Sequence, residues 1–298
     1  MIKKTTQKIV LICKVIIGIL LFSLFTFLFY RQAINYGGRY ASDLPAHIGF
    51  AVNGDGYSLL YFTIGLILKI IPNYLPVAAL ESLMIIGCWL VAEKVITKYF
   101  HLDNMTAMLI STGLLFLTSI YVPYIAPFFY TGGIITQPWH NITYLGMRVF
   151  AVITIYYFLE IFQTYQEQMR FLDWAKIATP LALATSVKPN FLIAFSFTLL
   201  LFLLIDFFKG KMTKKKFVNT IIIGTTVFPS CFILLLQSFI LFSPGDSGEA
   251  SGIMITLFGS EFLQAGLFAV VQKLVRALAF PVLVFIYNRK NLNLRSNC

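Results

Sequence analysis

Asp43 and His47, four residues apart, are the first pair in this chain whose types and spacing can do proton chemistry. They stand in Ser42-Asp43-Leu44-Pro45-Ala46-His47, where Pro45 helps a short helix to start. A separation of four puts both side chains on one helical face. A carboxylate so placed can act as a general base on a hydroxyl. The same residues also describe a plain helix cap, Ser42 or Asp43, followed by a solvated histidine. Asp55, between Gly54 and Gly56, is either a ligand for a polar substrate or a turn residue. Trp139, His140 and Asn141 combine a stacking surface with hydrogen-bonding groups, as a sugar-binding cleft requires; Trp139 equally suits an interfacial aromatic belt. Arg148 lies just beyond them.

Cations complete the set. Lys188, just before Pro189, can hold a lipid phosphate as a point charge or simply snorkel to the interface. Lys273 and Arg276 interrupt the last apolar stretch, where they face a polar cavity or a phosphate group, or else mark a helix start at the interface. Cys13, Cys88, Cys231 and Cys298 are scattered, with no spacing that suggests a metal site or a disulfide framework.

Composition says what must position these groups. Hydrophobic residues make up 58% of the chain and charged residues 12%, which excludes a soluble domain. Apolar stretches lie at about 9–30, 75–93, 105–127, 147–164, 174–188, 191–208, 217–242 and 262–287. Several approach the ~20 residues that a bilayer-crossing helix needs, and none alternates as a barrel strand would. The chain therefore reads as an all-α, polytopic integral membrane protein, one transmembrane domain over 1–298 with about eight transmembrane helices. The first stretch is too long for a signal-peptide core and lacks a small-residue cleavage site, so it reads as a retained span. No internal repeat of the kind that many transporters carry is visible.

Residues 57–71 decide the sidedness of everything after them. As a helix they rise about 22 Å, short of a ~30 Å hydrocarbon core. If they do not cross and the amino terminus is cytoplasmic, 16 of the 23 lysines and arginines fall inside, including the five lysines of 209–216. A crossing would turn that five-lysine loop outward, against the positive-inside rule. Residues 31–72 are therefore expected to form an outer loop with interfacial, non-crossing helices. The net charge of +11 then follows from topology and is not a nucleic-acid signal. Asp43, His47, Asp55, Trp139, His140, Asn141 and Lys188 all fall on the outer face.

On these segments the chain resembles the GT-C superfamily of membrane glycosyltransferases, which includes protein O-mannosyltransferase-like and aminoarabinose-transferase-like enzymes. The likeness starts from a span followed by an outer loop with an acidic residue at a short helix, Ser42-Asp43-Leu-Pro-Ala-His47. An interfacial helix follows, Gly56-Tyr-Ser-Leu-Leu-Tyr-Phe-Thr-Ile-Gly-Leu-Ile-Leu-Lys-Ile-Ile-Pro72. It is similar to the family's Pro-Pro-Leu-Tyr-Tyr segment ending in Lys-Leu-Phe-Gly, with Tyr57-Ser58 where prolines are usual. Trp139-His140-Asn141 and Lys188-Pro189 look like segments of bacterial members linked to surface polysaccharide. The resemblance implies transfer of a sugar from a polyprenyl-phosphate donor to a glycan, lipid or protein acceptor, outside a bacterial plasma membrane. Asp43 would be the base for the acceptor. The family's second acidic positions have no clear counterpart here, which leaves a divalent metal open and no cofactor assigned. Family members often continue into further spans or a soluble domain, so the chain is expected to be a short or truncated variant.

Three other readings stand beside this one. A polysaccharide polymerase or ligase relies on a large arginine-rich outer loop, and the outer loops here hold few arginines. A transporter or lipid flippase needs ionisable groups in mid-membrane. Glu81 and the Lys273/Arg276 pair are the candidates, with Pro123 and Pro180 as places to break helices. A structural scaffold leaves the converging outer segments unexplained.

Overall fold

The computed structural model describes residues 2–34, 42–54, 57–116, 141–208 and 213–241, with Val271, Val282 and Ile286 as isolated helical positions. Asp55, Pro123, Trp139, His140, Lys273 and Arg276 lie outside the described residues. The described elements are α1 (Ile2–Ile34), α2 (Leu44–Asn53), α3 (Leu59–Ile70), α4 (Leu75–Tyr99), α5 (Asn104–Leu115), α6 (Ile142–Phe162), α7 (Phe171–Val187), α8 (Asn190–Phe208), α9 (Lys214–Gly224) and α10 (Phe228–Leu241). A 3-10 turn, Thr225–Val227, joins α9 to α10. These helices belong to one compact unit, residues 1–116 and 139–249.

Local chemistry starts most of the helices. Ser58 accepts from Leu60 N–H to open α3, and Asp103 accepts from Met105 and Thr106 to open α5. Asn141 and Thr213 do the same for α6 and α9. Prolines at the first positions of α2 and α4 forgo an N–H that would have no helical partner there. Gly54, at φ 78°, closes α2 in the left-handed conformation.

Among the described residues, five helices are long and apolar enough to cross a membrane: Gln7–Ile34, Leu75–Tyr99, Ile142–Phe162, Asn190–Phe208 and Lys214–Phe239. Large apolar side chains lie exposed along them, among them Ile12, Ile16 and Leu20 on α1, Phe197 on α8, and Phe228, Phe232 and Phe239 on α10. Such surfaces suit lipid and not water. The chain is thus a helical protein built for a membrane. Of the remaining expected spans, 174–188 forms most of α7, whose 17 residues rise about 25 Å. The 105–127 stretch is helical over Asn104–Leu115 and passes out of the described residues after 116. The 262–287 stretch lies outside them but for the three isolated positions. Pro180 does not break a helix; it is buried inside an uninterrupted α7.

Paired contacts fix the helix directions. Lys14 pairs with Glu93, Gly18 lies beside Trp89, and Thr26 donates to Ser82 at 3.0 Å, so α1 and α4 are antiparallel. Gly87 faces Val149, and Lys98 pairs with Glu160, so α6 runs parallel to α4. Gly146 meets Val187, and Lys176 lies over the Tyr157 ring, so α7 runs back against α6. The α8 helix follows α6, through Phe195 on Phe158 and Phe202 on Phe162. The α9–α10 pair follows α7, from Trp174–Thr225 to the contacts of Gln237 with Thr185 and Ser186.

Because α1 and α4 are antiparallel, α2 and α3 leave and return at the same end. They form a hairpin of 10- and 12-residue helices, each too short to span ~30 Å. The hairpin crosses at Gly65, where an added Cβ would lie 2.5 Å from the Ala51 carbonyl oxygen. One apolar core, with Phe25, Phe29, Leu44, Ile48, Ile64 and Trp89, holds the hairpin to α1 and α4. A second, with Phe158, Ile177, Leu181, Phe195 and Ile223, joins α6 to α9.

Candidate functional site

The hairpin end gathers side chains from α2, α3, α6, α7 and α10. Asp43 directly precedes α2, yet its carboxylate does not cap the helix; Ser42 Oγ accepts from Leu44 N–H instead, at 3.2 Å. Asp43 Oδ2 accepts from Asn141 Nδ2 at 3.0 Å and stands 3.1 Å from His47 Nε2. The other oxygen, Oδ1, is enclosed and has no hydrogen-bond partner among the described residues. His47 is not the solvated histidine of a plain cap, because its side chain is only 12% exposed. Its Nδ1 lies 2.6 Å from the Tyr61 hydroxyl on α3. In the tautomer with hydrogen on Nε2 the tyrosine donates to Nδ1, while Nε2, close to Asp43, makes no hydrogen bond among the described residues. Burial, then the Tyr57 and Asp43 charges, push the Tyr61 hydroxyl up to about 12.

Asn141 carries two tasks. Its Oδ1 opens α6 by accepting from Tyr144 N–H at 2.9 Å, and also accepts from Thr143 Oγ1 and, at 3.4 Å, from Lys188 Nζ. Its amide nitrogen then holds Asp43. Lys188 follows the last residue of α7, and burial lowers its pKa against the opposing effect of Asp43. Two side chains tie this end of α7 to its neighbours. Ser58 Oγ donates to Val187 O at 2.8 Å, and Gln237 Nε2 lies within 3.0–3.4 Å of Ser186 O, Thr185 O and Tyr57 O.

Asp43, His47, Asn141 and Lys188 are therefore brought together. Arg148 is not among them. It lies seven residues further along α6, about 10 Å, where its charge reaches Cys88 on α4. Among the described residues no group of three or more His, Cys, Asp or Glu is arranged to hold a metal ion.

Tyr61 and Gln237 are participants that the residue pattern did not single out. Gln237 had a signal, a lone amide inside the apolar run of α10. Tyr61 had none beyond its place in the 57–71 segment, because its partner sits across the hairpin. Comparison with protein-family models, curated proteins and solved structures finds no match to this chain.

Proposed function

We propose that this chain is a membrane glycosyltransferase of the GT-C kind, taking a sugar from a polyprenyl-phosphate donor to an acceptor at the outer face of a bacterial plasma membrane. One observation carries the reading: Asp43 has one oxygen held by Asn141 beside His47 and the other without a partner among the described residues, next to a half-buried lysine. The acceptor hydroxyl attacks the anomeric carbon and yields its proton to the Asp43 carboxylate. The phosphate departs with the bonding electrons toward the Lys188 ammonium. His47 and Asn141 orient the base. About eight spans, a cytoplasmic amino terminus and an outer interfacial hairpin complete the proposal. It is supported by the gathering of Lys14, Lys98, Lys176 and Lys216 at the end opposite Asp43.

Purified protein in proteoliposomes, offered a panel of polyprenyl-phosphate sugars, should release polyprenyl phosphate from at least one. No turnover of any donor counts against the reading. Sidedness is tested separately. In a chain with its native cysteines changed to serine, Asn53→Cys and Asn73→Cys should each react with an impermeant maleimide from outside, and Thr213→Cys only after lysis. Opposite labelling of positions 53 and 73 would mean that α3 crosses, and the proposed topology fails.

A transporter is the second reading. One observation favours it, a carboxyl at Glu81 that is wholly buried in α4 with both oxygens unpartnered among the described residues. Substrate flux without glycosyl transfer would decide for it.

A further inference from the structure

At the end of the helices opposite Asp43, α4, α6 and α7 bring four cations together around two tyrosine rings. The Tyr156 and Tyr157 rings on α6 stand near edge to face, their centroids 5.3 Å apart. Lys94 Nζ lies 5.5 Å from the Tyr156 centroid and Lys98 Nζ 5.6 Å from it, both from the last two turns of α4. Lys176 Nζ, on α7, stands 5.9 Å from the centroid of the Tyr157 ring. Two carboxylates share these cations. Glu160 pairs with Lys98, while Asp173 holds Arg170 at 3.0 Å and Lys176 more loosely at 3.8 Å. Lys94 is exposed and has no ion pair among the described residues. Four cations against two carboxylates leave the patch positively charged. A ring face attracts an ammonium but offers it no oxygen lone pair, so the N–H donors of Lys94 stay open to an anion.

We propose that this patch binds an anionic glycerophospholipid, its phosphate held by Lys94, Lys98 and Lys176 and its acyl chains laid along α4. Depth argues for a lipid. Lys94 lies five residues, about 8 Å, from the end of a 25-residue helix that rises about 37 Å against a ~30 Å hydrocarbon core. The ammonium groups thus stand at headgroup level, where tyrosine rings also collect, and lysines reach it by snorkelling. Leu83, Leu90 and Lys94, at spacings of seven and four, share one helical face. Both leucines are exposed, by 57% and 39%, and lead from the cations toward mid-membrane, beside the close approach of Gly87 to Val149 on α6. Hydrocarbon chains cover such a face in any bilayer; the cations above it decide which headgroup those chains carry. The inference rests neither on the glycosyltransferase reading nor on which leaflet this end faces.

The test is native mass spectrometry of the full chain released from detergent micelles that hold equal amounts of dioleoyl phosphatidylglycerol and dioleoyl phosphatidylcholine. The two lipids share their chains and a phosphate and differ in net charge. The wild type should retain phosphatidylglycerol at least about tenfold more than phosphatidylcholine. In Lys94→Gln/Lys176→Gln the two lipids should be retained about equally. That variant strands no carboxylate, because Glu160 keeps Lys98 and Asp173 keeps Arg170. Lys214→Gln/Lys215→Gln removes two charges from exposed positions at the same end, and should leave the preference as in the wild type. Glycerol 3-phosphate, a headgroup without chains, should not displace the lipid. Equal retention of the two lipids by the wild type overturns the proposal, and this comparison needs no variant to fold. A matching loss in Lys214→Gln/Lys215→Gln would assign the preference to overall charge and overturns the site. Displacement by glycerol 3-phosphate would make the ligand a soluble phosphate and overturns the lipid. No arm requires a sugar donor, so failure here and failure of the proposed activity are distinguishable.

Discussion

Asn141 donates its amide hydrogen to Asp43 across 3.0 Å, although 98 residues separate the two in the chain. The bond leaves Oδ1 as the carboxylate oxygen without a partner among the described residues, and it ties the entrance of α2 to that of α6.

Replacing Asp43 by Asn keeps its shape and removes its basicity. Transfer from the polyprenyl-phosphate donor should fall by at least about 100-fold, with expression and melting temperature little changed. Turnover within about threefold of wild type would take Asp43 out of the chemistry.

Lys188 gives the proposed site an alkaline limit. Burial lowers its pKa below the ordinary 10.5, so it loses its charge at a lower pH than an exposed lysine does. Only the protonated form attracts phosphate, so donor affinity should weaken as pH rises through this lowered range. Tyr61, pushed up to about 12, stays protonated throughout and adds nothing to the profile. Lys188→Arg should abolish the alkaline fall, because a guanidinium stays charged. A fall that persists in the arginine variant would assign it to another group.

Helix starts are legible in the sequence because capping is local. Ser58, Asp103 and Thr213 each lie within three residues of the N–H they satisfy. The shared face of Asp43 and His47 is legible for the same reason. The spacing does not tell whether that pair faces water or protein, since the answer comes from Tyr61 and Asn141 on other helices. Glu81 is visible as an acidic residue in an apolar stretch, but its complete enclosure depends on how α1 and α6 pack against α4.

The hairpin crossing offers a stability test. Gly65→Leu would drive a side chain into the Ala51 carbonyl, and should cost about 1–3 kcal/mol and loosen the His47–Tyr61 contact. Gly49 has nothing within 4 Å of an added Cβ, so Gly49→Ala should be neutral or stabilising. Thermal unfolding in detergent compares the two directly. Equal melting temperatures would mean that the helices do not cross at Gly65.

At the opposite end, Asp206 accepts from Tyr165 and Gln166, while Lys216 Nζ donates to its backbone oxygen at 2.7 Å. Both charged side chains are buried, so Lys216→Met should destabilise by about 3 kcal/mol. Lys214→Met, at an exposed position two residues away, should change stability by less than about 0.5 kcal/mol. Matching losses in the two variants would show that the Asp206 network contributes little.

The bond from Gln237 to the Tyr57 carbonyl spans 180 positions of chain. A ribosome must therefore add 167 residues beyond Ile70, the end of the hairpin, before the amide that braces it exists. Until then the carbonyls of Thr185, Ser186 and Tyr57 wait for their shared donor, and the nascent hairpin is held by α1 and α4 and then by Asn141 and Val187. The hairpin end is thus assembled in chain order, with Gln237 the last of these braces to be made.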